Sequence, residues 1–187
     1  MPRRPRPQIP GGIFHLTSRG NRRQAIFIDD RDHERFLQIL GRVVSSRSWR
    51  CHAYCLMPNH YHLLVETPEP DLSAGMHHIN GVFARWVNWR RRLDGHLFQS
   101  RFHSSVVESP WHLLELSRYI VLNPVRAGLC SEPGEWRWSS YSALIAATEK
   151  PPFLTVELLL AQFASDAPSA HRRLEHFVLD APPRAVR

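Results

Sequence analysis

Two histidines with one residue between them, His60-Tyr61-His62, are the first side chains in this sequence whose spacing can do chemistry. On a β-strand, residues two apart point to the same face. Both imidazoles can therefore reach one cation, while Tyr61 points to the other side. Pro58-Asn59 reads as a tight turn just before them, which puts the pair at the start of a strand and near a sheet edge. The chain holds 12 histidines, so two partly buried core histidines are the competing reading. A second group lies further on. Tyr119 and Asn123 are four apart and share a helix face, and with His112 and Glu115 they make a polar stripe. Leu113, Leu116, Ile120 and Val121 occupy the opposite flank. Taken alone, Tyr119 reads equally as a packing residue, and Asn123, before Pro124, as a helix-end residue. Cys51 and Cys55 are a weaker pair: no second Cys pair follows at zinc spacing, and buried cysteine is usually a small hydrophobe.

The elements that must position these residues follow from local patterns. Ile13-Phe14-His15-Leu16-Thr17 predicts a strand, ended by Ser18-Arg19-Gly20-Asn21. Asp29 and Asp30 cap and charge the first turn of a helix over about 30–46, with Phe36, Leu37, Ile39, Leu40, Val43 and Val44 at helical spacing. Residues 50–57 and 60–66 predict a β-hairpin about Pro58-Asn59. Asp71-Leu72-Ser73 opens a long helix to about Arg92, and residues 97–107 form a further strand or strand pair. Ser109 and Pro110 cap a third helix that runs to about Leu122, where Pro124 interrupts it. This order, with a hairpin in mid-sheet and helices on one side, predicts an α+β sandwich of ferredoxin-like or RRM-like type with an antiparallel sheet. Residues 1–11 read as a basic Pro/Arg-rich arm, 12–147 as the main domain, and 148–187 as a small helical C-terminal extension. Glu149-Lys150-Pro151-Pro152 would be the linker, with helices at about 155–164 and 168–179.

Charge and composition narrow the partner. The net charge is +7, and residues 1–50 hold all of the excess, with eleven arginines against four acids. Every basic residue except Lys150 is arginine, whose planar fork grips phosphate with two bonds. Such a surface suggests a polyanion, most often nucleic acid; the alternative is a solvated arm. No run of about 18 apolar residues is present, so no membrane span is expected. The basic start lacks an apolar stretch and does not read as a secretory signal. Three cysteines, an odd count, argue against a disulfide framework and for a reducing cytosol.

The two chemical signals together resemble a known family. Met57-Pro58-Asn59-His60-Tyr61-His62-Leu63-Leu64-Val65 is similar to the MPNHxHLLV signature of the single-tyrosine HUH transposases, and the run Arg118-Tyr119-Ile120-Val121-Leu122-Asn123-Pro124-Val125-Arg126-Ala127-Gly128-Leu129 to their RYIxLNPVRAGL segment. Gly95 to Phe102, Trp138-Ser139-Ser140-Tyr141, and the start from Pro2-Arg3-Arg4 to Gly20-Asn21 also match. The likeness covers about residues 1–145 with motifs in order. Within the group the chain most resembles the REP-associated tyrosine transposases, relatives of the insertion-sequence-200-like enzymes.

That resemblance implies an RRM-like catalytic domain in which His60 and His62 hold Mg²⁺ or Mn²⁺ and Tyr119 is the nucleophile. It implies Asn123 as a third ligand, where many relatives have Gln. Glu115, one turn before Tyr119, is a candidate for taking the phenolic proton or holding a metal-bound water. Tyr61 occupies the hydrophobic slot of the motif, a mild departure, and His103 stands where Lys is common, which makes a phosphate contact there weaker and pH-dependent. The implied partner is single-stranded or hairpin-forming palindromic DNA in the cytoplasm, associated with the nucleoid, with no membrane and with the protein as monomer or homodimer. Candidate DNA contacts are Arg3, Arg4, Arg6, Arg19, Arg22, Arg23, Arg101, His103 and Arg126. Attack by the phenol would give a 5′-phosphotyrosine and a free 3′-hydroxyl, and keeping the bond energy would let the same site rejoin strands. Two other readings stay open: a catalytically idle single-strand-binding protein derived from such an enzyme, and a metal hydrolase that uses water.

Overall fold

The structure, a computed structural model, describes residues 9–180; the arm arginines Arg3, Arg4 and Arg6 lie outside them. Four strands, β1 (Gly12–Arg19), β2 (Arg50–Met57), β3 (His60–Thr67) and β4 (His103–Val106), pair antiparallel in the order β2-β3-β1-β4. Helix α1 (Asp30–Ser46) links β1 to β2, and α2 (Leu72–Arg91) links β3 to β4. Two split β-α-β units interlocked in this way make the ferredoxin-like sheet that the element order predicts. The hairpin differs from the expectation in one respect: β3 is central, but β2 is an edge.

Side chains alternate across the sheet and divide it into two faces. Phe14, Leu16, Tyr61 and Leu63 are fully buried on the face that carries α1 and α2. There Phe36 of α1 packs on the Tyr61 ring at 4.6 Å between centroids, and Tyr61 donates its hydroxyl to Asn80 of α2 at 2.5 Å. Of the apolar positions read at helical spacing, Phe36, Ile39, Leu40, Val43 and Val44 are buried in α1, and Leu37 is partly buried against the same core. The two helices are pinned to each other at both ends. At one end Asp71 accepts from Arg47 at 2.6 Å and from the Trp49 indole at 2.7 Å. Asp71 stands just before α2, as its sequence predicts, but its side chain ties α1 to α2 and forms no cap bond. At the other end the fully buried Asp32 carboxylate takes Arg90 at 2.8 Å and also Arg91, and accepts from the Ile28 amide at 3.0 Å.

Helices also cover the second face, contrary to the one-sided arrangement expected. Helix α3 (Pro110–Val121) lies over β2 and β3. Ser109 caps it by accepting from the His112 amide at 3.1 Å, with Pro110 at the first position, as its sequence predicts. Short turns follow as α4 (Asn123–Arg126), α5 (Tyr141–Leu144) and α6 (Glu157–Leu160), then α7 (Ala167–Leu179). The outer edge of β2 is closed by later chain. Ser140 and Tyr54 exchange hydrogen bonds, and the Thr155 amide donates to the Cys51 carbonyl at 2.8 Å. Leu154, Leu159, Leu160, Leu174 and Val178 are buried in the same core. Covering an edge strand removes a row of open backbone donors and acceptors. Cys51 and Cys55 sit in this interior, where burial raises both thiols well above their ordinary pKa, so they are small core residues.

The segment 97–107 is strand only over its last part. β4 pairs with β1 as far as Thr17 with His103, and the next bridge joins Gly20 to Phe98. Between those two points the second strand takes five residue steps against three, so two residues are looped out. Gln99 still donates its amide to the Arg19 carbonyl at 3.0 Å, and the segment brings Gln99, Ser100 and Arg101 around the end of β1.

Candidate active site

His60 and His62 project from the start of β3 onto the face that α3 partly covers. Register puts Arg19 opposite His60, Thr17 opposite His62, and His103 opposite Thr17 on the far side. Directly paired residues point the same way, so these side chains share one face. With Ser18, Gln99, Ser100 and Arg101 they line a pocket of about 260 Å³. Three of the arginine and histidine positions read as DNA contacts, Arg19, Arg101 and His103, therefore stand around the histidine pair.

Both imidazoles are held by their Nδ1 atoms. His60 donates Nδ1–H to the Asn59 side-chain oxygen at 2.7 Å, while the Asn59 amide nitrogen donates to the Arg23 carbonyl at 3.0 Å. That turn residue thus ties His60 to the loop after β1, where Arg22 and Arg23 both adopt left-handed conformations. His62 Nδ1 lies 2.9 Å from Nε2 of His15 on β1, with the two ring planes 14° apart. The Nε2 atom of His62 is buried and has no hydrogen-bond partner. A buried polar atom without a partner is rare and calls for an explanation such as an ion.

The electrostatics fit a metal ligand set. Burial, then the neighbouring His15 and His60 imidazoles and Arg19, push the His62 pKa well below its ordinary value. Burial and Arg19 lower His60 to about 4, and burial, His103 and His112 lower His15 to about 4. All three rings are neutral at neutral pH, so no proton must leave before an ion binds. Nε2 of His60 and Nε2 of His62 are the nitrogens left for a cation, each with its other ring nitrogen hydrogen-bonded, the usual arrangement of a ligating histidine. Among the described residues no third His, Cys, Asp or Glu joins the pair in a ligand set. A hard divalent ion held there by two imidazoles would keep several positions for oxygen ligands.

Helix α3 delivers Tyr119 to this pair. Its ring stands edge-on to His62 at 5.5 Å and to His15 at 6.1 Å between centroids. Arg126 lies with its guanidinium 5.5 Å from the centre of the same ring. The rest of the polar stripe is turned to other partners. Glu115 accepts from Arg118 at 2.5 Å, and Arg118 reaches on to the Phe177 carbonyl of α7 at 3.3 Å. Asn123 donates its amide nitrogen to the Tyr119 carbonyl at 3.0 Å, a helix-end bond. His112 Nδ1 accepts from the Glu108 amide at 3.3 Å. The structure thus joins His60, His62, Tyr119, Arg19, Arg101, His103 and Arg126, and holds Glu115 in an ion pair within its own helix.

Sequence reasoning missed His15 and the side chain of Asn59. Asn59 was visible as a turn residue next to His60, and its carboxamide, one residue away, is within reach of the His60 Nδ1. His15 carried no such signal, because its bond to His62 depends on the pairing of two strands 47 residues apart.

Comparisons with known proteins bear on the same region. A family model described as IS200-like transposase matches residues 9–123. A Haemophilus influenzae protein described as a REP-associated tyrosine transposase is 23% identical over 159 residues, 75% of this chain and 86% of its own length. The solved structure of a REP-associated tyrosine transposase bound to a REP hairpin superposes with a TM-score of 0.67 at 22% identity, over 83% of this chain and 92% of that one. That likeness shows a shared α+β fold.

Proposed function

The chain belongs to the family of IS200-like transposases, and from that premise we propose that it cuts and rejoins single-stranded DNA beside a hairpin, with Tyr119 as the nucleophile. The observation that carries this reading is the Tyr119 ring against His62, whose Nε2 is buried without a partner. The relative bound to a REP hairpin supports palindromic DNA as the substrate class.

His60 and His62 would hold Mg²⁺ or Mn²⁺ through Nε2, with Asn123 able to add an amide oxygen. When bound, the ion neutralises phosphate charge and favours ionisation of a nearby phenol. Asn59 and His15 orient the two ligand rings. Arg19 and Arg101, at the rim of the pocket, grip the phosphates flanking the scissile one. The Tyr119 oxygen attacks phosphorus, a Tyr–O–P bond forms, and the P–O3′ bond breaks. The leaving 3′ oxygen takes a proton and becomes a hydroxyl, and the 5′ phosphate stays on Tyr119. Because one phosphodiester replaces another, attack by a 3′-hydroxyl on the phosphotyrosine reverses the step without ATP. The phenolic proton goes to solvent, since Arg118 holds the Glu115 carboxylate.

Labelled hairpin DNA with a single-stranded flank, incubated with Mn²⁺ and run on a denaturing gel, tests the assignment. The wild-type chain is expected to give a covalent protein–DNA band, and Tyr119→Phe none, with DNA affinity within about two-fold of wild type because only one oxygen is removed. A band retained by Tyr119→Phe would sink the nucleophile assignment. Cleavage without any band in wild type would leave a water-using metal hydrolase.

A further inference from the structure

Two consecutive arginines in the loop after β1 adopt a backbone that residues with a Cβ avoid. Arg22 has φ 53° and Arg23 has φ 60°, in the left-handed region that favours glycine. Such a conformation persists only where the surroundings over-determine it. Here the loop is clamped on both sides. Before the arginines, the Gly20 amide donates to the Asn59 carbonyl and the Asn21 amide to the Leu97 carbonyl, each at 2.8 Å. After them, the Ile26 and Phe27 amides donate to the Pro58 carbonyl at 2.8 and 3.0 Å. A Cβ on Gly20 would lie 2.1 Å from the Gln24 carbonyl oxygen, so the loop closes tightly on that glycine. Both arginine side chains are exposed, and among the described residues no side-chain hydrogen bond or ion pair engages either.

One side chain joins this loop to the histidine pair. The Arg23 carbonyl can only accept, so it selects the nitrogen of the Asn59 carboxamide, at 3.0 Å. The carboxamide oxygen is then the atom facing His60 Nδ1, at 2.7 Å. An oxygen there requires the proton on Nδ1, which leaves the Nε2 lone pair for a cation. With the Arg23 carbonyl withdrawn, the carboxamide is free to turn over and offer its N–H to Nδ1. The ring proton would then sit on Nε2 and block an ion. The backbone of the arginine loop thus sets the tautomer of His60.

We propose that DNA phosphates held by Arg22 and Arg23 tighten cation binding at His60 and His62, with Asn59 as the positioning residue that links the two. A phosphate gripped by both guanidinium groups holds the left-handed pair in place. That keeps the Arg23 carbonyl on the Asn59 nitrogen, and so keeps His60 in its ligating form. DNA then shifts an equilibrium between two arrangements of one carboxamide. The link is reciprocal, so the cation tightens DNA by the same factor. The site holds its ion most firmly when DNA is in place. The proposal rests on the metal-dependent reading of His60 and His62 for the ion, and on the loop geometry for the link.

The test reads binding, not cleavage. Mn²⁺ is titrated calorimetrically into the full chain, alone and saturated with a DNA hairpin that carries no single-stranded extension, and the heat of Mn²⁺ on the hairpin is subtracted. The hairpin is expected to raise the Mn²⁺ affinity of wild type by about five-fold or more. Asn59→Asp keeps an oxygen on His60 but has no N–H for the Arg23 carbonyl. Its Mn²⁺ affinity should be no weaker than that of DNA-free wild type, and it should not respond to the hairpin. Arg22→Asn with Arg23→Asn places residues that tolerate the left-handed region and removes both charges. With that variant saturated, the hairpin effect should fall below about two-fold. Both positions are exposed, so this variant carries the test if Asn59→Asp disturbs the turn. An unchanged Mn²⁺ affinity in hairpin-bound wild type overturns the proposal alone. So does a hairpin effect that survives in Asn59→Asp, since phosphate would then reach the ion without the carboxamide, or one that survives in the double arginine variant. Wild type that binds no Mn²⁺, with or without the hairpin, removes the metal reading of the histidine pair and the proposal with it. A hairpin effect of the expected pattern in a chain that forms no Tyr119 adduct would uphold the link and remove the strand-cutting reading.

Discussion

His15→Phe should weaken Mn²⁺ binding while leaving the fold in place. His15 lies 2.9 Å from Nδ1 of His62. If His62 binds an ion through Nε2, its proton must sit on Nδ1, and His15 Nε2 is then the acceptor. Phenylalanine keeps a flat ring beside His62 but accepts nothing. A buried N–H left without an acceptor costs about 1–3 kcal/mol, or about five- to 150-fold in an equilibrium constant. Loss of such an orienting partner typically lowers metal affinity by about 10- to 100-fold. The metal-free variant already carries part of the penalty, since either tautomer then leaves one ring N–H unpartnered. The expected loss of Mn²⁺ affinity is therefore nearer about ten-fold than a hundred-fold, with about 1 kcal/mol lost from the metal-free fold. Isothermal titration with Mn²⁺ alone reads the first quantity, and urea unfolding in EDTA reads the second. His15→Gln, which restores an oxygen acceptor, should recover part of the affinity. Mn²⁺ binding by a folded His15→Phe within about two-fold of wild type would refute the orienting role.

Two further changes probe the frame that holds the site. Asp32→Ala removes a fully buried carboxylate and leaves Arg90 and Arg91 without it, so urea unfolding should show a loss of about 3–5 kcal/mol; a loss within error would mean that the buried pair does not hold α1 to α2. Asp29→Asn keeps the helix cap but removes a charge: the Arg90 hydrogen bond foremost lowers the Asp29 pKa from 3.8 to about 2. A lowered carboxyl pKa adds stability above the unfolded value and loses it as pH falls through the folded one. The urea midpoints of wild type and Asp29→Asn should therefore differ at pH 5 and converge as pH approaches about 2, by a modest amount because the pair is exposed and screened. A gap that stays constant over that range would exclude the linkage.

What could be read from the sequence was local, and what could not depended on pairing. The hairpin about Pro58-Asn59, the Asp29 and Ser109 caps and the alternation that sends Tyr61 away from His60 and His62 are each decided within a few residues. Asp71 shows where local reasoning ends: a residue with the chemistry of a cap is engaged by Arg47 and Trp49, more than twenty positions earlier. The polar stripe on α3 shows the same limit. Spacing grouped Glu115 with Tyr119, but Arg118 and α7 decide where the carboxylate goes. Residues 97–107 read as a strand or strand pair, and only the register of β4 on β1 reveals the two looped-out residues.

Those two residues decide where the sheet can react. A four-stranded sheet with helices on both faces would bury its histidines out of reach. Here α3 covers the β2–β3 side of the second face, while β4 is only four residues long and reaches only as far as Thr17 on β1. The start of β3 and the end of β1 are left uncovered by regular structure, and the bulged segment that carries Gln99, Ser100 and Arg101 becomes the rim. This sets two kinds of charge at two depths. The imidazoles lie deep enough that burial keeps them neutral, the form the proposed cation would need. The permanent positive charge of Arg19 and Arg101 stays exposed, where a guanidinium bears little desolvation cost and can grip phosphate. Reversing the two depths would give charged, repelling ligands inside and a weak grip outside, so the placement of the loop-out is as much a part of the site as the histidines.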